Sequence, residues 1–316
     1  MPIKTKTTAV TTGKATSMKN KQARVRVSRL KFQHGIHDRV LNHLNSGQPI
    51  LLPMPSPLPY IVVARDRETV NGVKGRPAET SLCKLIGSFD QIEDFVALDE
   101  KGRDAAKRHL TDERMTVLVP IAAWMVEDSA SQLSRDVAAS HSDKFKQPSD
   151  TIRSDRLKMD LVRRPSAEFG NPYALFHHPV ATRNKPEFCS KENHLYASSG
   201  NVSGQPFGQT FDTICQQFER YGTPDKNYHL LALDADHLRM EGMFHESTSM
   251  VRVTERGNVK TTREGIHHHH MKTKCWRMKQ DDIEVWEQCL AKPTVTKPAA
   301  KPTVLDEVGE DDGIWC

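Results

Sequence analysis

Two short stretches of this 316-residue chain carry side chains suited to holding an anion. In "NGVKGRPAETSLCKLIGS", Lys74 and Arg76 stand two residues apart just before Pro77. An extended backbone there puts both cations on one side, where they neutralise a polyphosphate or a carboxylate. In "YASSGNVSGQPFGQTFDTICQQFERYG", small polar residues precede a helix whose Phe211, Ile214, Cys215 and Phe218 recur at i, i+3, i+4 and i+7, with Gly222 after it. Freed backbone N–H groups and the positive end of the helix dipole favour a phosphate in such a loop. Ser199, Asn201 and Ser203 add side-chain hydrogen bonds there, although a Gly/Ser/Asn loop taken alone is an ordinary turn.

Other chemistry-bearing residues read more simply. Four consecutive histidines, His267 to His270, cannot all face one centre on regular structure, so no metal site is assigned to them. His177 and His178 precede Pro179 in an expected loop and read as packing or surface groups. The six cysteines lie far apart without a CxxC pair, which fits free thiols better than a disulfide frame or a zinc knuckle. Cys83 is near the proposed anion site but has no identifiable base, and reads as a small buried residue. Trp276 and Trp286 flank the last helix and read as core or docking anchors.

The elements that must position these residues alternate between helices and short apolar strands over residues 37–265, which argues for an α/β domain with a twisted mixed sheet. "HDRVLNHLNSG" is helical, with Val40, Leu41 and Leu44 on one face and Gly47 closing it. "SFDQIEDFVAL" has capping-box spacing at Ser88 and Gln91 and a helical period in Phe89, Ile92, Phe95 and Val96. Strands are expected at "PILLP", "MTVLVPIAAWMV", "YHLLALD", "SMVRVT" and "NVKTTR", and a last helix at "DDIEVWEQCL". Residues 127–158, polar and aperiodic, read as a surface insertion, and the termini are expected to add no core.

Charge is unevenly spread. Residues 1–37 hold six Lys and three Arg with no acid, while the rest of the chain has 36 bases against 40 acids. The domain boundaries follow: a basic, disordered-looking arm over 1–31, a domain over 32–266, a helical extension over 267–291, and a Pro/Ala/Lys linker with acidic tail over 292–316. The arm suits RNA contact by electrostatics, and its lack of acids also suits organellar targeting. No apolar run approaches the ~18 residues of a membrane span and no secretory segment is seen, so a cytoplasmic protein without membrane contact is expected.

The order helix, "VKGRP", helix, "MTVLV", "VRRP", "SSGNVSG", helix, "ESTSMVRV" and "TTREGI" resembles the YrdC/Sua5 family, the threonylcarbamoyl-AMP synthases, over about residues 37–266. The resemblance implies a YrdC-like fold, with the chain's basic arm, extra C-terminal helix and tail added. It also implies that ATP, bicarbonate and an amino acid, threonine by default, condense to a carbamoyl adenylate with release of pyrophosphate, for tRNA modification. The family's K-x-R-P and S-x-N motifs map to Lys74, Arg76, Ser199 and Asn201, which would surround ATP and the forming carbamate. Thr116, Arg163, Ser203, Ser247 and Arg263 would complete the nucleotide site, with Mg²⁺ on the phosphates.

The departures concern the amino acid. Where the family has "P-T-D-T-V-Y-G-L", this chain reads "PMPSPLPYIVVARD", which leaves Ser56 and Tyr60 as the candidates to contact the amino acid. "SSGN" also replaces the family's Ala by Gly200. Nucleotide features survive better than amino-acid features. That pattern suits a synthase, a relative with another carbamoyl acceptor, or a non-catalytic protein that binds a nucleotide or RNA.

Overall fold

The computed structural model describes residues 23–78, 80–124, 173–191, 193–222, 224, 226–265 and 280–293. Its strands are β1 (Val25–Lys31), β2 (Ile50–Leu52), β3 (Ile61–Ala64), β4 (Cys83–Leu85), β5 (Thr116–Pro120), β6 (Tyr173–His177), β7 (Leu195–Ser199), β8 (Tyr228–Asp234), β9 (Met250–Val253) and β10 (Val259–Arg263). They form one mixed sheet in the order β1-β8-β2-β3-β7-β4-β6-β5-β9-β10. Against it lie α1 (His37–Asn45), α2 (Arg67–Val73), α3 (Glu100–Thr111), α4 (Phe211–Tyr221) and α5 (Gln280–Cys289). The α/β class and the twisted mixed sheet flanked by helices follow the alternation of the sequence.

Side-chain alternation along the central strands divides the core by face. Ile50, Leu52, Ile61, Val63, Leu231 and Leu233 pack with Val40 and Leu44 of α1 and Trp286 of α5. Leu51, Val62, Ala64, Leu230 and Ala232 pack with Val70 and Val73 of α2 and with Ile214 and Phe218 of α4. A third cluster seats Ala106 and Leu110 of α3 on Val117, Phe176 and Val251.

Three expectations need correction. Residues Val25–Lys31, assigned by their charge to the arm, form β1, an edge strand parallel to β8. Within "VRVSRLK" Val25 is buried, while Arg26, Arg29 and Lys31 are exposed. Second, "SFDQIEDF" makes two 3-10 turns, Phe89–Gln91 and Glu93–Phe95, instead of a helix. Ser88 does not cap; it donates to Asp90 (3.2 Å), while Gln91 accepts from Gly87 N (2.9 Å) and donates to the Cys189 carbonyl (2.5 Å). The two turns bury Phe89, Ile92 and Val96 at the spacing a helix would give, so periodicity alone does not separate them. Third, α5 does contribute core: Trp286 is 2% exposed and its ring lies 5.3 Å from that of Phe32. The insertion at 127–158, the histidine run, Trp276, the chain before residue 23 and the tail from 294 lie outside the described residues.

Candidate functional site

Lys74 and Arg76 are positioned by α2. Asp66 caps this helix by accepting from Thr69 N (2.6 Å), and the chain leaves it through Lys74 and Gly75, whose φ of +67° suits a residue without Cβ. Asn71 then ties down the following turn, donating to the carbonyls of Ala78 (2.9 Å) and Thr80 (2.7 Å). The segment is therefore a helix exit, not the extended backbone expected, and the two cations diverge. Lys74 is 1% exposed and its Nζ donates to the Ser199 carbonyl and to Ser199 Oγ (3.2 Å). Burial, with Arg76 nearby, pushes the Lys74 pKa well below the usual lysine range. Arg76 instead reaches Ser198 Oγ (2.9 Å), and burial lowers its pKa.

The end of β7 joins the two motifs. Ser199 Oγ donates to Asn201 Oδ1 (2.6 Å), and Asn201 Nδ2 donates to the Gln205 carbonyl (2.6 Å), so a chain of hydrogen bonds runs from Lys74 through Ser199 and Asn201. Gly200 between them continues the pairing with β3 by donating to the Tyr60 carbonyl (2.7 Å). A Cβ at Gly200 would stand 2.6 Å from that oxygen, so glycine is required by close approach.

Arg76, Ser198 and Ser199 face a cavity of about 410 Å³ over the centre of the sheet. Ile61, Leu85 and Ala197 of the α1-side cluster form part of its floor. Cys83, Thr116, Leu175, His177 and Met250 continue that floor from β4, β5, β6 and β9, and Ser247, Thr248 and Arg263 close one side. Among the described residues no Asp or Glu lines it, and neither Arg76 nor Arg263 has a carboxylate partner. Two guanidiniums and the hydroxyls of Ser81, Thr116, Ser198, Ser199, Ser247 and Thr248 make a donor-rich receptor for an anion.

The wall carrying Ser247 is held by its neighbours. Gln209 accepts from His245 N (2.7 Å) and donates to the His245 carbonyl (3.0 Å), and Ser56 Oγ lies 3.2 Å from His245 Nε2. Arg263 donates to the Thr248 carbonyl (3.0 Å). Gly265 permits this approach, because a Cβ there would meet the Ser247 carbonyl at 2.2 Å.

Five expected residues thus meet at the cavity: Arg76, Thr116, Ser199, Ser247 and Arg263. Lys74 and Asn201 support Ser199 from behind it, and Ser203 is exposed, its amide 3.4 Å from the Lys74 carbonyl. Arg163 lies outside the described residues. Ser56 and Tyr60 do not reach the cavity: Ser56 Oγ accepts from Met240 N (2.9 Å), and Tyr60, fully buried, donates to Asp236 Oδ1 (2.9 Å) and accepts from Ala235 N (3.0 Å). Pro59 and Ile61 take their place on the wall, since alternate residues of a strand face opposite ways.

The expected use of the α4 N-terminus also fails. Asp236 Oδ2 already accepts from Phe211 N (2.8 Å), and Thr210 and Thr213 cap one another reciprocally. The positive end of this helix is satisfied from within. Residues missed by the sequence reading include Ser198 and His177. Ser198 adjoins the recognised Ser199, but its exposure at the strand end depends on the chain's exit. His177, read as packing, is 4% exposed and lines the cavity, with the "YALFH" alternation placing it on the same face as Leu175. Cys83 is only partly buried at the cavity wall, where burial raises its pKa and leaves it a thiol.

No protein-family model matches the chain, and no curated protein matches it by sequence. Among solved structures, P. abyssi Sua5 complexed with L-threonine is similar at 14% identity and a TM-score of 0.45, covering 76% of this chain and 57% of that one. E. coli YciO is similar at 11% identity and a TM-score of 0.45, covering 77% and 96%. Full-length HypF in its phosphate- and nucleotide-bound form is similar at 12% identity and a TM-score of 0.44, covering 72% and 29%. This chain thus spans little more than half the length of the Sua5 structure.

Proposed function

We propose that the cavity binds a nucleoside triphosphate and that the protein uses ATP and bicarbonate to make a carbamoyl adenylate, with threonine the default amino acid. The observation that carries the reading is a cavity with two guanidiniums, Arg76 and Arg263, and no carboxylate among its described lining residues. The motif order of the sequence supports the reaction. In it, an amine and bicarbonate give a carbamate and water; a carbamate oxygen attacks the α-phosphorus, the bond to the bridging oxygen breaks, and pyrophosphate leaves. Arg76 and Arg263 stabilise charge on the phosphates, and the hydroxyls of Ser199, Thr116 and Ser247 orient them. Lys74 acts through Ser199 as a positioning residue. The described lining residues offer hydroxyl oxygens but no carboxylate, so they fit Mg²⁺ only as an ion carried on the triphosphate, where it would supply charge neutralisation.

With Ser56 and Tyr60 turned away and no acid among the described lining residues, a second reading is supported for the acceptor: an amine other than threonine, or nucleotide binding without turnover. Pyrophosphate release by the full chain with ATP, Mg²⁺ and bicarbonate, assayed with each of the twenty amino acids and followed by mass spectrometry of the products, tests both. Release with threonine supports the default, release with another amine reassigns the acceptor, and ATP binding without release leaves a binding protein. No ATP binding at all refutes the proposal.

A further inference from the structure

His177 lines the cavity and offers a ring acceptor that the anion reading does not use. His177 Nδ1 lies 3.3 Å from the Met115 carbonyl, an oxygen that only accepts, so Nδ1 carries the proton. Burial, opposed by that hydrogen bond, holds the ring neutral by lowering its pKa to about 4. The lone pair therefore rests on Nε2. That atom has no hydrogen-bond partner among the described residues, and the ring lines the cavity.

A neutral acceptor beside two arginines that have no carboxylate partner among the described residues asks for a particular kind of donor. With two guanidiniums and no carboxylate among the described lining residues, a cationic donor such as an ammonium group is disfavoured, which points to an uncharged donor. Leu85 pairs with His177 across β4 and β6, and Leu175 precedes it by two residues on the same face. These flanking side chains offer an apolar surface to a flat ring. We propose that His177 reads the exocyclic amino group of an adenine base, accepting a hydrogen bond from it while Arg76 and Arg263 hold the phosphates.

This assignment rests on the nucleotide reading above. Purine riboside triphosphate, which is ATP without the amino group, separates the two, because leaving a buried acceptor unpaired weakens binding by about 10- to 100-fold. Calorimetric titration of the full wild-type chain is expected to show that loss relative to ATP. His177→Leu is expected to bring ATP to the affinity of the analogue without changing the affinity of the analogue itself. Equal affinity of the wild type for both ligands overturns the His177 assignment and leaves the nucleotide reading standing. Inorganic triphosphate binding as tightly as ATP overturns the His177 assignment and cuts the site back to a polyphosphate receptor. If neither ATP nor its analogue binds, the nucleotide reading falls and this assignment with it. The comparison of ligands on the wild-type chain needs no variant, so misfolding of His177→Leu does not blunt it.

Discussion

Arg76 and Arg263 approach one cavity from positions nearly two hundred residues apart, and among the described residues neither has a carboxylate partner. Arg76→Ala and Arg263→Ala should each weaken triphosphate binding by about 10- to 100-fold. Melting temperature should hold steady or rise for Arg76→Ala, since that substitution removes a positive charge near buried Lys74. Calorimetry and thermal melts check this, and an affinity unchanged in both variants places the anion elsewhere. His177 and His178 give a second test. Burial lowers both pKa values to about 4, whereas an unfolded chain protonates histidine near 6.5. Between those values the unfolded state binds more protons, so stability falls as pH drops from about 6.5 to 4, by an amount on the order of 3 kcal/mol per ring. Urea denaturation across that range measures it, and a flat profile refutes the buried neutral rings. At this scale the sequence revealed the types of most site residues but not their use. Lys74 and Arg76 were legible as a pair, yet Gly75 turns the backbone between them and sends one behind β7 and the other to the cavity.

Among the elements, α4 shows what periodicity does and does not convey. Its apolar stripe placed the helix correctly, but nothing local to it showed that Asp236, across the fold, would occupy its N-terminus. Asp236 ties Phe211 N and the Tyr60 hydroxyl to one carboxylate, so Asp236→Ala should destabilise the protein by about 2–4 kcal/mol. An effect below about 0.5 kcal/mol in urea denaturation would show the contacts to be unimportant. The β3–β7 pairing makes a second test. Gly200→Ala installs the residue the family resemblance favours, but its Cβ would press on the Tyr60 carbonyl. The expected cost is about 1–3 kcal/mol, with a weaker anion site because Ser199 and Asn201 flank the displaced backbone. Unchanged stability and affinity would mean that β3 gives way freely. The failed helix at Ser88 belongs at this scale too: a 3-10 turn and an α-helix bury residues three apart equally well, and only hydrogen-bond partners far off in sequence, here the Cys189 carbonyl, decide between them.

Across the whole molecule, the α/β class and the strand succession were legible because apolar runs alternate with helical stripes, but the sheet order was not, since pairing partners are far apart in the chain. The C-terminal helix illustrates this: Trp286 reaches back to Phe32 beside β1, closing the core with residues from both ends of the described chain. Trp286→Ala should cost about 3–5 kcal/mol, read by chemical denaturation. A cost below 1 kcal/mol would make α5 a passive appendage. The same separation bears on synthesis. β1 leaves the ribosome long before β8, the strand it pairs with, 203 residues later as measured from Arg24 to Asn227. At translation rates of about 5–20 residues per second, the nascent strand waits roughly 10–40 s with its backbone unpaired. Arg26, Arg29 and Lys31 interrupt its apolar residues throughout that interval, and such charges discourage pairing with a neighbouring chain on the same polysome.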